Sequence, residues 1–475
     1  MDWRDRRIGE LEAALAARDE RIEAQDARIA KLEKLVGELS RQLGQNSGNS
    51  HLPPSSDGPG ARPGNNSGKG NKKKKRKRGG QPGHRGSHRA LLAPDEVDDI
   101  VNHFPPECED CGAGLPKTED PEPLRIQRTE VPEIKPTVIE ERYHAVTCAC
   151  GCTTRAKFTS SSPFGPRLMA LITLLTGVYH LSRRRTVALL GDVLNTSLSV
   201  GAISAVEGRA SEAVKPAVDE AKAVVDQAEV KNTDATTWLH KGVRRQLWVL
   251  ASSLATVFTI VVDGSAETIK PFFGACKGIL VSDRATVFVS LWKMKFRQIC
   301  WSHLLRKFIS FSERDGPAKA IGNELSELTG LLFNYWHAYK DGNLSKAKFR
   351  EWMAQVRAQV EACLQRAVDA DIEHVSGSCA DILAHREALW TFITHDGVPP
   401  TNNHAEQEVR GFVLWRKRSF GAQSERGHRY AARVMTVAHT ARKQNKNVFA
   451  FLTRCCEAYL AGAACPSLFD STVAA

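Results

Sequence analysis

No run of apolar residues in this 475-residue chain is long enough to cross a membrane. The opening segment, MDWRDRRIGELEAALAARDE, lacks the apolar centre of a secretion signal. These two absences argue against a membrane partner and point to a cytoplasmic protein. A third absence is local. Between Asp57 and Asp95 there is no acidic residue, while eleven cations fall there: Arg62, Lys69, Lys72, Lys73, Lys74, Lys75, Arg76, Lys77, Arg78, Arg85 and Arg89. Most of the net charge of +12 is therefore concentrated in one short segment. An unpaired positive run attracts polyphosphate through counterion release, so Lys72 to Arg78 read as DNA-binding; a solubilising tail, the blander reading, is more often acidic. Residues 44–90 also hold too few apolar groups to offset the entropy of ordering, and residues 44–95 read as a disordered basic linker.

What is present is strongly patterned. Ile8, Leu15, Ile22, Ile29, Val36 and Leu43 recur every seven residues, with Leu11, Leu32 and Leu39 in the second heptad row and Arg18 and Gln25 interrupting it. This pattern over residues 1–43 predicts a two-stranded parallel coiled coil, and so a homodimer or higher assembly, in preference to a helix packed on its own chain. Of twelve cysteines, five crowd between residues 108 and 152. Without a secretion signal such a cluster reads as metal-binding rather than disulfide-bonded. Cys108 and Cys111 have the spacing that grips one tetrahedral ion, and Cys148 with Cys150 or Cys152 completes the set. One structural Zn²⁺ is expected, in a domain at about 96–160. Residues 161–228 read as helical. Within them RRRTVALLGDVLNTSLSVGAISAVEGRA has the layout of a helix-turn-helix, with Ser199 capping the second helix and Arg183, Arg184 and Arg185 ahead of the pair as DNA contacts; an ordinary helical hairpin fits as well.

From residue 229 the pattern changes to strands, in the order βββαβαβα, which predicts a mixed sheet with helices on its faces. Residues 229–312 and 399–465 form this core, and 313–398 read as a helical insertion. Asp234 falls on or just after the first strand and Asp283 ends the fourth, where active-site groups collect in open sheets. Glu406 falls in the opening turn of a later helix. Each has a bland reading: Asp234 as a turn residue, Asp283 as a helix cap, Glu406 as the partner of Asn403 in a capping box. Together they reproduce the arrangement of an RNase H-like nuclease core. Three carboxylates are what two Mg²⁺ ions need, with positions left for water and phosphate. Arg410, one turn beyond Glu406, and Arg416 with Lys417 read as phosphate contacts or as counter-charges to nearby carboxylates. Cys300 and His303 make a C-x₂-H pair; with no second ligand pair evident, they read as a core thiol and a histidine near the site.

Several motifs appear in a telling order: the N-terminal heptads with PPSSDG, then GGQPGHRG, then CEDCG with its later cysteine cluster. DATTW follows, then CWSHLLRKF, then PPTNNHAEQEVRGFVLWRKRSFGAQSERGHRYAA. From about residue 30 to about 455 the chain resembles the IS66-type DDE transposases. The resemblance implies an α/β protein whose RNase H-like core carries an inserted helical subdomain, preceded by a coiled coil, a small zinc-binding domain and a helical DNA-binding region. It implies Asp234, Asp283 and Glu406 as the catalytic triad, two Mg²⁺ ions per active site, and Mg-dependent phosphodiester hydrolysis and strand transfer on element ends and target DNA. Small accessory proteins are implied as partners. The family commonly has Asp-Glu-Thr at its first position, whereas here it is Asp234-Ala235-Thr236. The alternatives are a DNA-binding protein derived from such an enzyme but no longer cutting, and a plain nuclease acting on RNA–DNA hybrids.

Overall fold

The computed structural model describes residues 3–43, 89–157 and 162–469. They divide into two units: residues 3–43, 140–157, 162–192 and 196–469 in the first, and 89–139 with 193–195 in the second. The basic run Lys72 to Arg78 lies outside the described residues.

The first unit begins with α1 (Trp3–Leu43). Its Ile8, Leu11, Leu15, Ile22, Ile29, Leu32 and Val36 are all at least 44% exposed. A short hairpin follows, β1 (Ala145–Thr147) and β2 (Thr153–Arg155). Four helices come next: α2 (Pro166–Thr173), α3 (Arg183–Leu194), α4 (Val200–Ala213) and α5 (Lys215–Gln227). Ser199 caps α4 as its sequence position predicts, accepting a hydrogen bond from the Ala202 amide at 3.0 Å.

The sheet is mixed, and its elements follow the predicted order. It contains β3 (Val230–His240), β4 (Val243–Ala251), β5 (Thr256–Val261), β6 (Ile279–Ser282) and β7 (Arg297–Ile299). Across the sheet the order is β5-β4-β3-β6-β7, antiparallel through β5, β4 and β3 and parallel from β3 to β7. The β3–β4 turn needs positive φ at both central residues, and Lys241 and Gly242 supply it at 51° and 84°. Helices α6 (Ala266–Phe273) and α7 (Val287–Leu291) bracket β6. Helix α8 (Trp301–Ser312) leaves β7 and begins two residues earlier than the expected start at His303.

Both faces of the sheet are covered, which is why the strands read as apolar runs rather than strict alternations. Along β4, Leu247, Val249 and Ala251 pack toward α13 (Asn403–Ser419) and α14 (Glu425–Lys443), while Trp248 and Leu250 join the opposite core with residues of α5, α6 and α15 (Val448–Ala461). Between α8 and α13 come α9 (Pro317–Lys340), α10 (Lys346–Asp369), α11 (Ser376–Ala384) and α12 (Thr391–Thr394). These helices share one apolar cluster with the sheet edge: Val281 and Ile299 belong to the same core as Leu325 and Met353.

The exit from α13 is sterically fixed. Phe420 adopts a left-handed conformation, and Gly421 follows at φ 85°. A Cβ on Gly421 would stand 2.1 Å from the Leu239 carbonyl oxygen, so only glycine lets the chain return to β3 here. In the second unit, the side chains of Arg125 and Gln127 both donate to the Leu92 carbonyl, at 2.7 and 2.9 Å. Among the described residues no helix is long and apolar enough to cross a membrane.

Candidate active site

The parallel register places two aspartates side by side. Asn232 on β3 pairs with Val281 on β6. Two residues further along each chain stand Asp234 and Asp283. Side chains repeat every two residues, and neighbouring strands lie about 4.8 Å apart, so both carboxyls leave the same side at the carboxyl end of the parallel strands. They line one cleft of about 240 Å³ with Gln246, Trp248, Thr286 and Phe288. The register continues to β7, where Val281 pairs with Gln298, putting Cys300 in the same row.

Glu406 reaches this row because Asn402 docks its helix there. Asn402 is fully buried. Its side-chain amide donates to the Thr233 carbonyl at 2.6 Å, and its Oδ1 accepts from Asn232 at 3.2 Å. Its backbone amide donates to the Cys300 sulfur at 3.1 Å. The preceding Pro400 carbonyl accepts from the Trp301 amide at 2.9 Å. Asn402, not Asn403, is the N-cap, and its side chain makes no cap hydrogen bond. The capping-box reading of Asn403 and Glu406 is therefore corrected: tertiary contacts claim the asparagine that local capping would have used.

The electrostatics are those of crowded anions. Burial pushes the Asp234 carboxyl up to about 7, and the charges of Asp283 and Glu406 push the same way, opposed by the Ala235 amide and Arg306. The Ala235 amide donates to Asp234 Oδ1 at 2.8 Å, and the Ala285 amide donates to Asp283 Oδ1 at 3.0 Å. Glu406 Oε2 lies 3.9 Å from Arg306, and Oε1 lies 3.6 Å from His303 Nδ1. Both separations exceed a direct hydrogen bond, and Glu406 Oε1 is buried with no hydrogen-bond partner. Three oxygen donors whose charge is only partly compensated suit hard divalent cations, which would lower the cost of keeping all three ionised. Asp234, Asp283 and Glu406 thus fit the Mg²⁺ expected of them. Ala235 also lines the cleft, but its side chain packs into the apolar cluster of Trp248 and Phe288.

Two cations escaped the sequence reading. Arg297 is fully buried on β7, donates to the Asp283 carbonyl at 3.3 Å, and sits 5.4 Å from the Phe288 ring centre. Burial pulls its pKa down to about 10. Arg306 stands one turn along α8 from His303. Neither position has a signal in the sequence, since each depends on a strand or helix partner distant in the chain.

The expected DNA contacts fare differently. Arg416 donates to the Thr237 carbonyl and to Thr236 Oγ1, tying α13 to β3. Arg183 pairs with Glu207 at 2.5 Å. Arg410, Lys417, Arg184 and Arg185 are exposed. The cysteines fall into two turns of similar build. In the second unit the Cys108 amide donates to the Ala113 carbonyl and the Gly112 amide to the Cys108 carbonyl, both at 2.9 Å. In the first unit the Cys148 amide donates to the Cys152 carbonyl and the Gly151 amide to the Cys148 carbonyl, both at 2.9 Å. Backbone hydrogen bonds from Cys111 and from Cys152 pull the thiols of Cys108 and Cys150 below their ordinary range.

Comparison with known proteins gives three likenesses. The profile of the family described as "Transposase IS66 family" matches residues 161–430, more than half of the chain. A family of unknown function, DUF6444, matches residues 3–90. An uncharacterized protein, y4qI, of Sinorhizobium fredii is 26% identical over 197 residues, which span 38% of this chain and only 36% of that relative's length.

Proposed function

We infer that this chain, which belongs to the IS66 family of transposases, binds element ends, cuts DNA there and joins it to a target, with Asp234, Asp283 and Glu406 as its catalytic carboxylates. The observation that carries this reading is the shared register of Asp234 and Asp283 on adjacent parallel strands, with Glu406 delivered by the Asn402 anchor. Two Mg²⁺ ions held by these groups would supply an activated attacking oxygen and a stabilised leaving oxygen. The protein's own part is placement. Arg297 and the Ala285 amide fix Asp283 from behind, Asn402 fixes the helix bearing Glu406, and Arg306 partly offsets the crowded charge. Arg410 and Lys417, exposed on α13, would hold phosphates.

Around this RNase H-like core we assign the other regions by their chemistry. Residues 1–43 pair two copies through the exposed heptad face. Cys108, Cys111, Cys148 and Cys150 or Cys152 hold one structural Zn²⁺. Residues 161–228, with Arg184 and Arg185, and the basic run Lys72 to Arg78 contact DNA. The test is end cleavage and strand transfer by the purified chain with Mg²⁺ on duplexes carrying the element's terminal inverted repeats. Asp234→Asn, Asp283→Asn and Glu406→Gln should each abolish both steps while leaving DNA binding; full activity in any one of them refutes the triad.

A further inference from the structure

Cys300, His303 and Glu406 each offer a ligand atom, and these atoms lie within 4.8 Å of one another. The three come from different places. Cys300 stands between β7 and α8, His303 is in the first turn of α8, and Glu406 is in the first turn of α13, over a hundred residues on. His303 Nδ1 and Glu406 Oε1 are both buried without a hydrogen-bond partner, and they are 3.6 Å apart. Buried orphan polar atoms are rare in native structures. Two orphans facing each other beside a fully buried thiol ask for a shared species between them. The Cys300 sulfur accepts a hydrogen bond from the Asn402 amide at 3.1 Å, which fixes the sulfur in place beside the pair. Two ligands about 2.1 Å from one tetrahedral ion stand roughly 3.4 Å apart, close to the separation found.

We propose that Cys300, His303 and Glu406 form a site for a borderline-soft divalent cation of the Zn²⁺ class, distinct in chemistry from the oxygen pair Asp234 and Asp283. Thiolate and imidazole discriminate against Mg²⁺, which takes oxygen ligands, and favour Zn²⁺ or Co²⁺. Binding displaces the Cys300 proton to solvent and leaves a fourth coordination position open. The consequence lies in the shared ligand. Glu406 serves either the hard pair or the soft pair, so the soft cation withdraws it from the Mg²⁺ set and inhibits the reaction; this part rests on the function proposed above.

The test uses the full chain throughout. In a Co²⁺ titration, the thiolate-to-metal charge-transfer band should be reduced by about one equivalent in both Cys300→Ser and His303→Gln, relative to wild type. The five cysteines at 108–152 contribute equally to all three proteins and cancel. Asp283→Asn should keep the full band. An unchanged band in both variants overturns the site, and His303, whose side chain is 32% exposed, keeps the test valid if Cys300→Ser misfolds. In Mg²⁺-dependent cleavage, half-inhibition by Zn²⁺ should move at least about tenfold higher in His303→Gln, each protein measured against its own uninhibited rate. Equal sensitivity in a protein that has lost the cobalt band overturns the sharing of Glu406. Absence of cleavage in wild type sinks the proposed function and leaves the cobalt result to decide the site.

Discussion

Two carboxylates two residues apart on α13 have opposite surroundings. Glu408 is 11% exposed and is met by polar partners on every side: Lys443 at 2.9 Å, His404 at 3.3 Å, and His439 within hydrogen-bond reach. Burial alone would raise its pKa, but His404, His439 and Lys443 outweigh it and hold the group far below the usual range. Glu406 is 30% exposed and has no contact of that quality; His303 and Arg306 stand 3.6 and 3.9 Å away, and Asp234 and Asp283 share its neighbourhood. One charge is neutralised within the protein and holds α13 to α14. The other is left under-compensated, in the state a group has when its counter-charge arrives from outside. The contrast separates a structural ion cluster from the proposed catalytic one more sharply than burial or sequence position does, since both glutamates sit on one helix within one motif.

The strongest way to break the comparison is to neutralise each glutamate in turn. Glu406→Gln should lower cleavage by on the order of 10³-fold, since losing one of the proposed metal ligands forfeits several kcal/mol of transition-state stabilisation, and its melting temperature should stay within about a degree or two of wild type or rise. Glu408→Ala should do the reverse in kind. It strands Lys443 and two histidines in a buried setting and should cost about 3–5 kcal/mol of stability, read by denaturant unfolding. A Glu408→Ala protein that melts normally would remove the structural half of the contrast. The pH dependence follows from the direction of the shift. A depressed carboxylate contributes stability in full above its unfolded pKa and loses it as pH falls through the folded value, so the Glu408 contribution should fade steadily below about pH 4.5.

Asp234 gives the opposite sign and a smaller effect. Its folded pKa near 7 lies above the ordinary 3.8. Its contribution is therefore fully present below about pH 4 and is lost as pH rises through 7. Without divalent metal, Asp234→Asn should melt like wild type at pH 4 and several degrees higher at pH 8. Adding Mg²⁺ at pH 8 should raise wild type more than the variant. Identical pH profiles in the two proteins would mean that the crowding of anions is not what sets this group.

How much of this was legible in the sequence depended on how local each cause is. The strand order was readable, because β-rich runs are written in contiguous residues, and so were the positions of Asp234 on the first strand of the sheet and of Asp283 just after the fourth. The cap of α4 by Ser199 was readable for the same reason. The role of the PPTNN segment was misread, because a capping box is a local rule and the Asn402 contacts are to residues about 100 and 170 positions away. The Glu408 cluster was invisible: its partners His439 and Lys443 lie a helix away. The C-x₂-H pair was set aside for want of further ligands, and the missing third donor is Glu406, which the sequence reading had already given to another task. In this chain the fold is a matter of pattern, whereas the site is a matter of which distant elements a few buried polar groups tie together.

The smallest expected effect tests that tie. Asn402→Ala removes two side-chain hydrogen bonds and keeps the backbone one to Cys300. The Thr233 carbonyl and the Asn232 amide lose their partner in a dry setting, and each unsatisfied buried group costs about 1–3 kcal/mol. Water relieves part of this where the cavity admits it, so a net loss of about 2 kcal/mol is expected in denaturant unfolding. If Asn402 only stabilised the fold, cleavage measured well below the unfolding transition would be unchanged. If it aims Glu406, cleavage should fall by an amount that stability does not explain, since displacement of a reacting group by about 1 Å can cost on the order of a hundredfold. Asn402→Asp sharpens the test: it keeps the size, loses the donor to Thr233, and adds a fourth negative charge beside Asp234. Its stability loss should exceed that of the alanine variant at pH 8 and approach it at pH 4, where the added carboxyl is neutral. Equal losses at both pH values would place Asn402 outside the electrostatic reach of the three carboxylates and would return it to a purely structural role.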